Sequence, residues 1–167
     1  MERAFIQTPL GTATIVGTEA GITQLTIGSV RSAVNIPVPS SLAPACRQLQ
    51  AYFNGDLRAF DIPLLPEGTA FQKKVWNALT EIPFGSTMSY GDLASSLGNV
   101  GAVRAVASAN AKNPIWILIP CHRVLGSGGD LRGYAGGLHR KKWLLEHENG
   151  SGQYSLFPEK QTSRSDF

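Results

Sequence analysis

The sequence predicts an α+β chain. A small N-terminal α/β domain, a β-hairpin or sheet with one helix, occupies residues 1–66, and a mainly helical, winged-helix-like domain containing a helix-turn-helix occupies 67–150. Three observations carry this. Residues 3–30 alternate loosely between apolar and polar side chains, several later stretches repeat at helical spacing, and Leu65-Pro66-Glu67-Gly68 breaks the pattern between the halves.

Taken in order, Ala13-Thr14-Ile15-Val16 and Ile22-Thr23-Gln24-Leu25-Thr26-Ile27 flank a turn from Gly17 to Gly21, the pattern of a hairpin. Residues 31–40 contain Pro37 and Pro39 without a period and are expected to form a loop. From Ser41 to Asn54, Leu42, Ala45, Cys46, Leu49, Tyr52 and Phe53 share one helical face, and Gly55 ends it. Cys46 is therefore expected in the core. A short strand is expected from about Ala59 to Leu64. No chemistry is visible in residues 1–66, so their expected job is support.

Thr69-Ala70-Phe71-Gln72 has the form of a capping box, in which the Thr and Gln side chains satisfy two amides left over at a helix start. Phe71, Val75, Ala78 and Leu79 repeat behind it, and Ile82-Pro83-Phe84-Gly85 breaks the helix. Ser89 to Asp92 forms a second box, opening a helix that runs to Leu97 and stops at Gly98. A third helix spans about Gly101 to Asn110. Helix, tight glycine-containing turn, helix is a helix-turn-helix pattern. The third helix carries Ala102, Ala105, Ala107, Ser108 and Ala109, with Arg104 as its only charged side chain. Such a helix can approach a DNA groove closely or pack in a core, and spacing leaves both open.

Ile115 to Ile119 is an apolar run too short for a helix, bounded by Pro114 and Pro120, and is expected as a buried strand ending on Cys121-His122-Arg123. A thiolate is the nucleophilic form of cysteine, and a neighbouring imidazole is a common way to make one. Neighbours on an extended segment point apart, so a turn at Pro120 must bring the two together. For the dipeptide alone, a core cysteine beside a surface histidine is the commoner outcome. Leu125 to Gly137 reads as a glycine-rich wall containing Tyr134. It is no phosphate cradle, because no helix follows in P-loop fashion. A last helix, about Leu138 to Glu148, would pack through Leu138, Trp143, Leu144 and Leu145. The polar tail, residues 151–167, is expected to be disordered.

Hydrophobic content of 43% and charged content of 16% are those of a globular protein. No apolar run approaches the roughly 18 to 20 residues of a membrane span, and Met1-Glu2-Arg3-Ala4 opens no signal peptide, so a cytoplasmic protein with no membrane contact is expected. The two cysteines, Cys46 and Cys121, are expected as free thiols. With His122, His139 and His147 they show no ligand spacing, so neither metal nor cofactor is expected. The net charge of +3 is uneven. Residues 99–145 hold seven basic groups (Arg104, Lys112, Arg123, Arg132, Arg140, Lys141, Lys142) against Asp130 alone, a balance of +6 that suits a polyanion. Arg140 to Lys142 would serve equally as a solvated helix face. No surplus apolar seam is visible, so a monomer is expected.

Pro120-Cys121-His122-Arg123-Val124, led by Asn113-Pro114 and the apolar run, resembles the active-site signature of the O6-alkylguanine-DNA alkyltransferases, also called methylated-DNA-protein-cysteine methyltransferases. Matching pieces stand in family order: Thr69 to Gln72 with Val75-Trp76, Ile82 to Gly85, Ser89-Tyr90-Gly91, Arg104-Ala105-Val106, Gly133-Tyr134 with Gly136-Gly137, and Leu144-Leu145 with Glu148. The resemblance is dense over residues 67–148 and loose before them.

The resemblance implies roles. Cys121 would accept the alkyl group, activated through a water by His122, with Glu148 orienting the imidazole. Asn113 would hold the turn carrying the cysteine. Tyr90 would turn the damaged nucleotide's phosphate and offer its hydroxyl to the leaving guanine. Arg104 would fill the gap left by the flipped base. Ser89, Ala105 and Arg123 are placed with the DNA-binding surface, although spacing shows no role for Arg123, which is also expected to pair with a carboxylate or carbonyls. Tyr134, Ala135 and Gly136 would bound the base pocket. Trp116, where the family more often has a small residue or proline, would narrow it. The implied partner is double-stranded DNA carrying O6-alkylguanine, or less efficiently O4-alkylthymine, met from the minor groove. A thioether product with no second nucleophile implies one turnover per molecule.

Three readings compete. A recognition protein without transfer would lack the acceptor cysteine. A helix-turn-helix regulator would need several long base-reading side chains, and this helix has essentially one. A thiol hydrolase fits poorly with a base adjacent to its nucleophile.

Overall fold

The structure is a computed structural model that describes residues 1–29, 35–131 and 133–150. The start of the expected 31–40 loop, Arg132 and the 151–167 tail lie outside the described residues. Contacts divide the chain into two units: Met1–Gly68 with Pro114–Leu118, and Thr69–Asn113 with the chain from Ile119 onward.

The first unit is built on β1 (Glu2–Thr8), β2 (Gly11–Thr18) and β3 (Gly21–Gly28), an antiparallel sheet in the order β1-β2-β3. The expected hairpin is thus two of three strands. Ala4 and Ile6 point into the core from β1 as Ala13 and Ile15 do from β2, and Ala4, Ile15 and Leu25 lie abreast in register. Gly11 is required at the first turn: its φ is +127°, and a β-carbon there would stand 2.5 Å from the Gly28 carbonyl oxygen. A 3₁₀ turn, Ser40–Leu42, leads into α1 (Ala43–Phe53), which buries Ala45, Cys46, Leu49 and Tyr52. Cys46 is core, as its helical face predicts.

No strand forms over residues 59–64. Leu64 makes a single parallel bridge to Ile22, whose N–H donates to Pro63 (2.9 Å) and whose carbonyl accepts from Leu65 (2.7 Å). Pro63 and Pro66 have no N–H to extend a ladder. The run from Ile115 is likewise buried but is not a strand. Ile115 bridges Leu25, then the chain turns at Ile117, whose φ is +72°, with Leu118 N–H donating to the Trp116 carbonyl at 2.8 Å. A β-branched residue in this region is strained, and a prolonged ladder is blocked by Pro114 and Pro120.

In the second unit, α2 (Ala70–Leu79) starts on the complete Thr69/Gln72 capping box and buries Val75, Trp76 and Leu79. Phe71, one turn before Val75, is 38% exposed at the start of the helix. The helix-turn-helix follows as α3 (Tyr90–Ser96) and α4 (Val103–Ala111), joined through Gly98 (φ +80°) and a 3₁₀ turn, Val100–Ala102. Ser89 caps α3 by accepting from the Asp92 N–H at 2.9 Å. The α4 helix has two faces: Val106, Ala109 and Asn110 are buried, whereas Arg104, Ala105 and Ser108 are exposed. One face of the helix thus packs in the core, as its small side chains allow, and the other is open.

The Trp76 indole N–H donates to the Ala109 carbonyl at 2.8 Å, tying α2 to α4 in the core. Trp76→Phe keeps most of the apolar area but leaves that carbonyl only the longer contact from the Lys112 N–H at 3.2 Å. It is expected to cost about 1–3 kcal/mol, read as a lower urea midpoint at unchanged slope. A two-residue parallel pair, β4 (Met88–Ser89) with β5 (Val124–Leu125), anchors the chain leaving the Cys-His-Arg turn. The last helix, α5, runs Leu138–Glu148. Its buried side chains are Lys141, Leu144, Leu145 and Glu148, while Leu138 is 50% exposed. No described helix is long and apolar enough to cross a membrane.

Candidate active site

Pro120 makes the turn that an extended Cys-His pair requires. Its backbone sits at φ −81°, ψ 63°, and the Cys121 N–H closes on the Ile119 carbonyl at 2.8 Å. Cys121–Arg123 then form a single 3₁₀ turn in which all three side chains are buried. Asn113, at the exit of α4, spans the bend: its Nδ2 donates to the Ile119 carbonyl (2.8 Å) and to Cys121 Sγ (3.1 Å). One amide thus fixes both the backbone before the cysteine and the sulfur.

From α5, Glu148 reaches the same turn. His122 Nε2 lies 2.7 Å from Glu148 Oε2. An ionised carboxylate only accepts, so Nε2 carries the proton and Nδ1 presents a lone pair. Nδ1 has no hydrogen-bond partner among the described residues. Arg123 takes both oxygens of the same carboxylate, Nε to Oε1 at 2.8 Å and Nη2 to Oε2 at 2.9 Å, while Nη1 donates to the Ile82 carbonyl at 2.7 Å. This corrects the placement of Arg123 on a DNA-binding surface. Its guanidinium is buried and engaged on three sides by groups within its own unit.

Lys141 is the second correction to the basic stretch. It is fully buried, and its Nζ donates to the Val124 carbonyl at 2.6 Å. Of the seven basic residues between 99 and 145, Arg123 and Lys141 are therefore unavailable to a polyanion, while Arg104, Lys112 and Lys142 are exposed.

Burial governs the titration of the cluster. It pushes the Cys121 thiol up to about 11, opposed by the Asn113 hydrogen bond and the Lys141 charge. It lowers His122 despite the adjacent Glu148, so the imidazole is neutral near pH 7. It lowers Lys141 to about 8. Burial alone would raise Glu148, but His122 and Arg123 hold it well below the usual carboxylate range. The resting cluster is a protonated thiol, a neutral imidazole able to accept that proton, and a permanent carboxylate behind it.

Tyr90 opens α3, buried, and its hydroxyl oxygen accepts from Asn110 Nδ2 at 3.4 Å. The same Nδ2 faces the Cys121 carbonyl, also at 3.4 Å. That carbonyl can only accept, which fixes the amide's orientation and directs the Tyr90 O–H away from Asn110. Tyr90, Arg104, Val103, Ala107 and Gly133 line a cleft of about 400 Å³ beside α4. Gly133 is required there: a β-carbon would stand 2.7 Å from the Tyr90 hydroxyl.

The structure thus gathers Cys121, His122, Glu148 and Asn113, links Tyr90 to them through Asn110, and sets Arg104 on the cleft. Tyr134 is buried, its phenol raised by burial and then by Cys121. Gly136 is buried, with its carbonyl held by Arg140 Nη1 at 2.9 Å, and Ala135 is exposed. Ala105 is exposed on α4, and the Ser89 hydroxyl oxygen is used as the α3 cap. Trp116 groups with the first unit, its N–H donating to the Leu25 carbonyl at 2.9 Å. Asn110 and Lys141 were not singled out as site residues by sequence reasoning. A buried polar residue on an otherwise small-sided helix face was the available signal for Asn110, whereas none existed for Lys141.

Two family models match the chain. That of the 6-O-methylguanine DNA methyltransferase ribonuclease-like domain covers residues 1–66, and that of the 6-O-methylguanine DNA methyltransferase DNA binding domain covers 70–150. The chain is 46% identical over 155 residues to the methylated-DNA–protein-cysteine methyltransferase of Methanosarcina acetivorans, covering 89% of this chain and 98% of that protein. It is similar to the crystal structure of Mycobacterium tuberculosis O6-methylguanine methyltransferase, with a TM-score of 0.80 and 42% identity over 93% of this chain and 96% of that one. A structure of the M. tuberculosis protein OGT in complex with DNA matches with a TM-score of 0.78 and 44% identity, covering 95% of this chain and 96% of that one.

Proposed function

Because the chain belongs to the 6-O-methylguanine DNA methyltransferase family, we propose that Cys121 is the residue through which it repairs DNA, receiving the alkyl group from O6 of guanine. The protein is a DNA-binding repair methyltransferase of the methylated-DNA–protein-cysteine class. The observation that supports the residue assignment is that Asn113 donates to Cys121 Sγ while the adjacent His122, on the same buried turn, is held by Glu148, inside the segment that matches the DNA-binding model.

His122 takes the Cys121 proton at Nδ1 through a water, and Glu148 holds the ring by Nε2. The thiolate attacks the saturated carbon in line: the S–C bond forms, the C–O6 bond breaks, and the electron pair leaves on guanine. Tyr90 donates its hydroxyl proton to that leaving base. O6 of a paired guanine is enclosed by the stack, so the nucleotide is flipped into the cleft beside α4, at a cost of a few kcal/mol, and Arg104 fills the place it vacates. The exposed small side chains of α4 fit a minor groove read by shape and not by base edges. Tyr134, Ala135 and Gly136 bound the base. The thioether is a poor leaving group, so each monomeric molecule acts once.

The test is the intact mass of the protein after mixing with a duplex carrying one O6-methylguanine. A gain of one methyl, about 14 Da, stopping at one equivalent and mapping to Cys121, is expected. Tight binding at unchanged mass would leave a damage-recognition protein that does not transfer.

A further inference from the structure

The reading above uses Cys121, His122 and Glu148 but leaves the best-fixed side chain of the cluster without a job. Arg123 makes three hydrogen bonds of 2.7 to 2.9 Å, two of them to the oxygens of Glu148. Its guanidinium also lies 5.8 Å from the centroid of the Phe84 ring. We propose that Arg123 is a positioning residue for the transfer: its fork shares Glu148 with His122, so that the carboxylate orients the imidazole without holding a proton on it.

The need for such a device follows from the chemistry. A buried carboxylate 2.7 Å from an imidazole favours the imidazolium, and an imidazolium cannot accept the thiol proton. Burial already disfavours the imidazolium and Glu148 works against that effect, so a site that needs Glu148 for orientation gains from a group that offsets its charge. Arg123 does this from the same 3₁₀ turn as His122, with a group that is always charged and whose planar fork matches the carboxylate. Other groups act on the ring too. Lys141, on α5 like Glu148, opposes imidazolium formation, and Cys121 adjoins His122 on the turn. Lys141 is held down to about 8 by burial, and its Nζ donates to the Val124 carbonyl. The Gly85 N–H, 3.5 Å from Glu148 Oε1, is a weak further contact.

The inference rests on the transfer reading, and two readouts keep their failures apart. The first is the single-turnover methyl-transfer rate from an O6-methylguanine duplex between about pH 5 and 9.5 for the wild type, Arg123→Lys and Arg123→Gln. In Arg123→Gln the acidic limb should move up by about 1 to 3 pH units, with the rate recovering toward the wild-type plateau at high pH. Arg123→Lys keeps the charge and loses the fork, so a smaller shift is expected. A rate reduced by one factor at every pH, with the limb unmoved, would show a merely structural arginine and overturn the proposal. The second readout is the ¹⁵N signal of the His122 ring in the free protein. The wild type should show a neutral ring protonated at Nε2 at pH 7, and Arg123→Lys should titrate at higher pH. An imidazolium at pH 7 in the wild type would sink the idea even if Arg123→Gln fails to fold. Absence of any methyl gain by the wild type would defeat the transfer reading alone, since the ring titration still reports on Arg123.

Discussion

Cys121→Ser is expected to bind the methylated duplex, keep its fold and lose transfer by at least about 10⁴-fold, a loss of the size seen when a nucleophile is removed from a site that works as a unit. The loss arises from the atom and not from its surroundings. A serine Oγ can accept the Asn113 N–H as Sγ does, so the turn between Ile119 and Cys121 has no reason to change. Its proton, however, lies far above the range that a neutral, buried His122 can accept, and alkoxide is not formed. Binding is measured by fluorescence anisotropy of a labelled duplex, transfer by intact mass, and fold by thermal melting. Wild-type levels of transfer in the variant would remove Cys121 from the mechanism and redirect attention to another acceptor. The other free thiol, Cys46, lies on the buried face of α1 in the first unit.

What could be read from the residues alone was whatever local chemistry decides. The Thr69/Gln72 box, the cap at Ser89 and the glycine stop at Gly98 are satisfied within a few positions, and the helices they delimit appear where the spacing puts them. Burial of the run from Ile115 was also legible, because five apolar residues in a row have few alternatives. Its shape was not: a strand and an irregular buried segment share that signature, and the outcome depends on the Ile117 turn and on Leu25, ninety residues earlier, supplying only a single bridge. The first strand, β1, was blurred by the weak alternation of Glu2–Thr8, where Phe5 is half-buried between Ala4 and Ile6. The motif named the residues of the candidate site, but not their electrostatics. Arg123 and Lys141 look like surface charges in a basic stretch, and their partners, Glu148 and the Val124 carbonyl, lie 25 and 17 positions away. A long charged side chain is buried only where its polar head finds such partners, and no local spacing announces them.

The largest effect on stability is expected at Glu148. In Glu148→Ala, the Arg123 guanidinium stays buried with its fork unmatched, and the Nε2–H of His122 loses its acceptor. Removing one partner of a buried charge pair costs about 3–5 kcal/mol, far more than the pair contributes over an apolar replacement, because the remaining charge is left uncompensated. Glu148→Gln keeps the shape and one acceptor oxygen and should lose less. The same network makes the wild type acid-sensitive in two windows. His122 titrates lower in the folded protein than in the unfolded chain, so the unfolded state gains the extra proton as pH falls below about 6.5 and stability begins to drop. Glu148 is likewise depressed on folding, so its contribution is complete above about pH 4.3 and is lost as pH falls further. Glu148→Ala abolishes the second window and leaves the first. Urea midpoints measured from pH 7 down to 3 should therefore show a large gap between wild type and variant at neutral pH that narrows only below about pH 4. A gap under about 1 kcal/mol at pH 7 would mean that water reaches Arg123 once the carboxylate is gone, and the cluster would then owe its order to the packing of α5 and not to the charges it encloses.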